Sequence, residues 1–199
     1  MKLFLGWDPT SSTEVSAEDV RAADRYSRRF FDESGALVRV ELYRRGDLIE
    51  VDYYSGETAE HSRDYPGIDF AVVRKMDAPA GFRWELTARH DPDGEVQRYI
   101  AELVDPDDTL VMSVEYNVAG EVEATTKYWD ELPDQDGMMF EYGPDGKNVG
   151  VADLEDGNSL RFADVLRALP EPDFYADGLV LPRELSGTSI PAVPDSFRR

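Results

Sequence analysis

The sequence predicts a mainly β fold: an antiparallel meander of successive hairpins forming a curved sheet, a two-layer sandwich or a partly closed barrel, with one or two short helices. Three observations carry this. Four turns share one pattern, Phe31-Asp32-Glu33-Ser34-Gly35, His90-Asp91-Pro92-Asp93-Gly94, Tyr116-Asn117-Val118-Ala119-Gly120 and Tyr142-Gly143-Pro144-Asp145-Gly146, and the last three recur at a 26-residue interval. Several segments alternate strictly between apolar and polar residues, the signature of a strand with one buried and one wet face. Helical periodicity is scarce, so helices are an addition to the sheet.

Each turn has a mechanical basis. In Asp91-Pro92-Asp93-Gly94 and Gly143-Pro144-Asp145-Gly146, Pro presets φ at the second place, Asp suits the third, and Gly takes the left-handed fourth place. Asp105-Pro106-Asp107-Asp108 is a further turn inside the period, so one period is two strands and two turns. Phe82, Trp84, Leu86 and Ala88 alternate with Arg83, Glu85, Thr87 and Arg89, and Leu110, Met112, Val114 and Tyr116 alternate with Thr109, Val111, Ser113 and Glu115. Upstream, residues 36–43 and 48–54 form a hairpin turned at Arg45-Gly46, and residues 68–74 a further strand, for about nine or ten strands in all. Ser16 and Asp19 cap a short helix from residue 17 to about 24. Phe162, Val165, Leu166 and Leu169 share a helical face before Pro170 over residues 160–169. The organisation read from this is a hairpin-repeat domain over residues 1–170 and a Pro-rich extended segment over residues 171–199 packed on it.

Charge narrows the function. The chain has a net charge of −21, and residues 99–157 hold 16 Asp and Glu against Lys127 and Lys147, a net of 2 − 16 = −14. Residues 21–45 instead carry seven Arg against Asp24, Asp32, Glu33 and Glu41. Concentrated acid points to a cationic protein partner and disfavours nucleic acid and anionic membrane. The carboxylates expected to make that contact are Asp105, Asp107 and Asp108 in one turn and Asp130, Glu131, Asp134 and Asp136 in a long loop. That loop is no EF-hand: aligning Gly137 with the invariant Gly puts Leu132 and Gly143 at ligand positions.

Catalysis has little to stand on. His61 and His90 are the only histidines, too few for a three-His metal site, and His90 stands at a turn in the place aromatics fill elsewhere, which suits packing. No nucleophile elbow, phosphate-cradling loop or nucleotide fingerprint is present. The expectation is a protein that is not an enzyme and takes no cofactor or metal. No Cys occurs and the N-terminal apolar run is too short for an export signal, which fits a cytoplasmic setting.

The motif aromatic-Asp/Asn-x-x-Gly-x-Leu/Val, seen in Phe31-Asp32-Glu33-Ser34-Gly35-Ala36-Leu37 and Tyr116-Asn117-Val118-Ala119-Gly120-Glu121-Val122, resembles the repeats of bacterial YD (Rhs-type) proteins and the variant MORN repeats of bacterial antitoxin-like proteins. The resemblance runs through the turns of about half the chain, with His90 replacing the aromatic in one copy and Gly143 the Asp in another. It implies a setting in toxin and immunity systems and carries over no site residues. The function expected is therefore an acidic immunity or inhibitor protein neutralising a basic bacterial toxin. The alternative is a β-sheet carrier or sensor of a small apolar ligand, with Met112, Met138, Met139 and aromatics lining its pocket.

Overall fold

A computed structural model describes residues 1–6, 13–54, 58, 60–129, 137–153, 160–169 and 171–197. Eleven strands form one sheet in sequence order: β1 (Lys2–Leu5), β2 (Arg25–Phe31), β3 (Leu37–Arg44), β4 (Asp47–Tyr53), β5 (Asp69–Asp77), β6 (Arg83–His90), β7 (Val96–Val104), β8 (Leu110–Tyr116), β9 (Val122–Trp129), β10 (Met138–Tyr142) and β11 (Asn148–Asp153). The strands β1 to β4 and β7 to β11 are antiparallel meanders. Strands β4 and β5 pair in parallel, and the crossover this requires carries the short helix α1 (His61–Asp64). Among the described residues the end strands β1 and β11 do not pair with each other, so of the three forms open to the sequence the fold is a single unclosed sheet. The helix expected near residues 17–24 is a 3-10 turn at Asp19–Arg21. Ser16 Oγ and the Asp19 carboxylate exchange the capping bonds foreseen for it, but Arg25 already starts β2 and leaves no room for a second turn.

Five hairpin turns repeat one hydrogen-bond pattern, including that at Asp105, which lacks the glycine. In each, the N–H of the first residue donates to the carbonyl four positions on, and the N–H of the fourth donates back: Asp32 with Ala36 and Gly35, Asp91 with Glu95 and Gly94, Asp105 with Thr109 and Asp108, Asn117 with Glu121 and Gly120, Gly143 with Lys147 and Gly146. The fourth residue is always left-handed, and at Asp108 a non-glycine takes that conformation (φ 66°). The Asp or Asn at the head has a structural task. Asp105 Oδ1 accepts the N–H groups of Asp107 and Thr109, both at 2.9 Å, and Asp32, Asp91 and Asn117 do the same in their turns. Part of the chain's acid is thus turn chemistry.

The contacts divide into two compact units, Met1–Arg74 with Thr87–Gln97, and Lys75–Leu86 with Arg98–Arg199. In the first, Val51, Tyr53 and Phe70 form a core joined by Leu48, Tyr65, Ile68 and Val72. His61 is buried there: its Nε2–H donates to the Ile68 carbonyl (2.9 Å), which leaves Nδ1 to accept the Tyr53 hydroxyl (2.8 Å). Buried Glu41 accepts the hydroxyls of Tyr43 (2.8 Å) and Tyr65 (2.6 Å), with Arg39 3.5 Å away. Burial, then Glu41, pushes the Tyr43 hydroxyl up to about 12.

In the second unit the buried strand residues Met112, Val114, Tyr116, Thr125, Lys127, Phe140, Tyr142 and Val151 make one face. Helix α2 (Phe162–Leu166) lays Phe162, Val165 and Leu166 against Phe140, Tyr142 and Val151, and helix α3 (Pro172–Ala176) adds Phe174 and Tyr175. The C-terminal segment is tied down through its own backbone. Tyr142 donates to the Tyr175 carbonyl (2.6 Å), Tyr116 to that of Pro191 (2.7 Å), and Tyr99 to that of Phe197 (3.4 Å). Tyr116 and Tyr142 are the aromatics of the 26-residue repeat. Gly178 passes so close to Tyr142 that a Cβ there would stand 2.6 Å from the ring, and its N–H donates to the Gly146 carbonyl (2.8 Å). At the centre lies Lys127, with no exposed surface. Its Nζ donates to the carbonyls of Phe174, Asp177 and Val180 (2.5, 2.7 and 2.6 Å) and sits 3.9 Å from the centre of the Phe174 ring.

Asp105→Asn keeps the Oδ1 acceptor for both backbone N–H groups, as Asn117 does natively, and should leave the urea midpoint unchanged, whereas Asp105→Ala should cost about 1–2 kcal/mol; equal effects would refute a structural role. Lys127→Met strips the carbonyls of Phe174, Asp177 and Val180 of their buried donor and should cost about 3 kcal/mol, with amide protection lost first over residues 174–180. Burial pushes the Lys127 ammonium down from 10.5 to about 7, opposed by Asp177. Between those two values the unfolded chain binds more protons at this position, so the cost of holding the charge in the core is full below pH 7 and is relieved as pH rises to 10.5. The stability difference between wild type and Lys127→Met should therefore widen with pH across that window; a flat difference would contradict it.

Candidate functional site

The β7–β8 turn, the end of β9 and the C-terminal segment of the second unit enclose a cleft of about 420 Å³. The turn supplies Asp105 and Asp107, and the strand end Tyr128 and Trp129. The segment supplies Glu171, Phe174, Tyr175 and, at a 3-10 turn over Arg183–Leu185, Glu184. Phe82 and Pro182 complete the walls with Thr109, Leu110 and Val111. Among the described residues, four carboxylates and five aromatic rings line this space, and no Lys or Arg does. Such a lining suits an ammonium or guanidinium group, which carboxylates bind by charge-assisted hydrogen bonds and ring faces attract through their negative quadrupole. The cleft is ample for the end of one basic side chain.

A second acidic feature adjoins it through Tyr128. Cross-strand pairing aligns Glu102 with Ser113, Ser113 with Thr126, and Thr126 with Glu141, so these residues share the face opposite Lys127. Glu115, opposite Ile100 and Ala124, lies on the same face. Arg98 lies 3.6 Å from Glu115. Burial, and after it Glu102, Glu115 and Glu141, pushes the Tyr128 hydroxyl above its ordinary range, so the three glutamates act on a residue that also lines the cleft.

Of the carboxylates expected to bind a partner, Asp105 and Asp107 reach the cleft, with Asp105 also holding its turn. Asp108 does not line it; it is ion-paired with Arg83. Asp130, Glu131, Asp134 and Asp136 lie outside the described residues. Sequence reasoning missed Glu171, Glu184 and the three strand glutamates. Glu115 and Glu141 were visible as equivalent places one 26-residue period apart, each just before the repeat tyrosine. Nothing in the local sequence marks Glu171 and Glu184, which arrive through the path of the C-terminal segment.

Other candidates have settled roles. His90 stacks on Phe70 at 4.6 Å and its Nδ1–H donates to the Gly94 carbonyl (3.1 Å), and both ring nitrogens of His61 are engaged within the first core. Burial, reinforced by Glu50 and opposed by Arg89, pushes the Asp52 carboxyl up to about 7, but Asp52 lines none of the grooves. Among the described residues no cluster of three or more His, Cys, Asp or Glu could hold a metal ion, and no helix is long and apolar enough to cross a membrane. A larger groove of about 1000 Å³ runs along residues 179–192 of the C-terminal segment against Tyr116 and Val122. Met112, Met138 and Met139 do not line it; Met112 is wholly buried and Met138 packs beside Phe140.

No protein-family model, curated protein or solved structure matches this chain.

Proposed function

We propose that this chain is a non-enzymatic acidic binding protein whose second unit docks a basic protein partner, seating one of its Lys or Arg side chains in the cleft. The carrying observation is the lining itself: Asp105, Asp107, Glu171 and Glu184 beside Tyr128, Trp129, Phe174 and Tyr175, with no cation among them. Glu102, Glu115 and Glu141 extend the negative field over the adjoining strands and favour fast encounter with a cationic surface. The most concrete form of this reading is an inhibitor or immunity protein that blocks a basic bacterial toxin in the cytoplasm. The turn-borne resemblance to YD and variant MORN repeats supports that setting, as does a chain without cysteine.

The test is affinity with the captured basic partner. Asp107→Asn, Glu171→Gln and Glu184→Gln combined should weaken binding about 100-fold or more, at roughly 1.5–3 kcal/mol per charged hydrogen bond lost. The melting temperature should hold within a few degrees, and wild-type affinity should fall steeply with added salt. Unchanged affinity in the triple variant would sink the assignment.

A further inference from the structure

We propose that the first unit carries a separate site for a small phosphate ester, in a groove of about 770 Å³ between the 3-10 turn at Asp19–Arg21, β2 and the β3–β4 turn. Arg21, Arg28 and Arg45 line it together with Tyr26 and Val20, and among the described residues Asp24 is the one carboxylate in its wall. In a chain of net charge −21 this is a local excess of cation.

The arginines are incompletely satisfied. Arg21 is exposed and has no ion-pair partner among the described residues. Arg28 lies 4.6 Å over the Tyr43 ring and 3.9 Å from Glu41, while its buried Nε–H has no acceptor among the described residues, a costly state for a donor. Arg45 gives its Nε–H to Asp24 at 2.7 Å and keeps its terminal nitrogens available. Nearby, Arg25 and Arg44 are paired directly across β2 and β3 and share Asp24 as counter-charge, which adds positive potential beside the groove.

The chemistry selects the ligand. Guanidinium forks match the oxygens of a phosphate in pairs, which a monovalent halide does not offer. The rest of the molecule repels long polyanions, so the anion must be small enough for its charge to be met locally, within a Debye length of about 8–10 Å. The space exceeds what phosphate fills, and Tyr26 and Val20 give an organic ester group an apolar wall.

The test is a nitrogen-15 NMR titration of the full chain with inorganic phosphate and with phenyl phosphate at constant ionic strength. The Arg21, Arg28 and Arg45 side-chain signals should shift together, with phenyl phosphate binding the tighter of the two. Arg21→Gln should weaken binding about tenfold with an unchanged melting temperature; Arg45→Gln should do the same, and being tied to Asp24 it is read only alongside Arg21→Gln. Asp107→Asn, in the other unit, should leave phosphate affinity as it was. Equal shifts with chloride, equal affinity for the two phosphates, or full binding by Arg21→Gln would each overturn the site.

Discussion

One buried ammonium group determines where the C-terminal segment lies. Lys127 spends its three N–H bonds on the carbonyls of Phe174, Asp177 and Val180, so a single charge fixes three points over seven residues of chain. A segment rich in proline has few backbone donors with which to join a sheet, and its carbonyls must be met by side chains. Lys127 and the tyrosines at 99, 116 and 142 meet them. The cleft depends on this arrangement, because Glu171, Phe174, Tyr175, Pro182 and Glu184 belong to the segment that Lys127 anchors.

The fold was legible because its causes are local. A turn headed by Asp or Asn satisfies its own backbone, and Gly at the left-handed place avoids steric cost, so the pattern at residues 32, 91 and 117, and the Pro-Asp-Gly after Gly143, announce hairpins before any packing is known. The same logic holds in Asp105-Pro106-Asp107-Asp108, legible as a turn although Asp takes the place of Gly. The parallel β4–β5 pair was less visible, since it rests on a crossover through α1 and on a core that residues 48–72 make only when folded. The cleft was half legible: Asp105 and Asp107 stood out as charged turn residues, but Glu171 and Glu184 come near them through long-range carbonyl bonds that leave no periodic trace.

Part of the acid holds turns. At 32, 91 and 105 a carboxylate is an acceptor for backbone N–H groups, a task that an amide performs equally well at 117. At 107, 171 and 184 the carboxylates face a space with no cation and hold no turn through their side chains, so their repulsion has a functional reading. The arginines of the first unit show the reverse sign on a separate groove, which gives the two units different chemistry within one acidic chain.

Charge discrimination by the cleft is the point on which the binding reading rests. Nitrogen-15 NMR of the full chain, titrated with N-acetyl-arginine methylamide and with its neutral citrulline counterpart, measures it directly. The arginine compound should perturb the Trp129 indole N–H and the amides of Asp107 and Glu184 with saturation, while the citrulline compound leaves them in place. Equal responses to the two, or shifts spread evenly over every carboxylate of the molecule, would contradict a built cationic site.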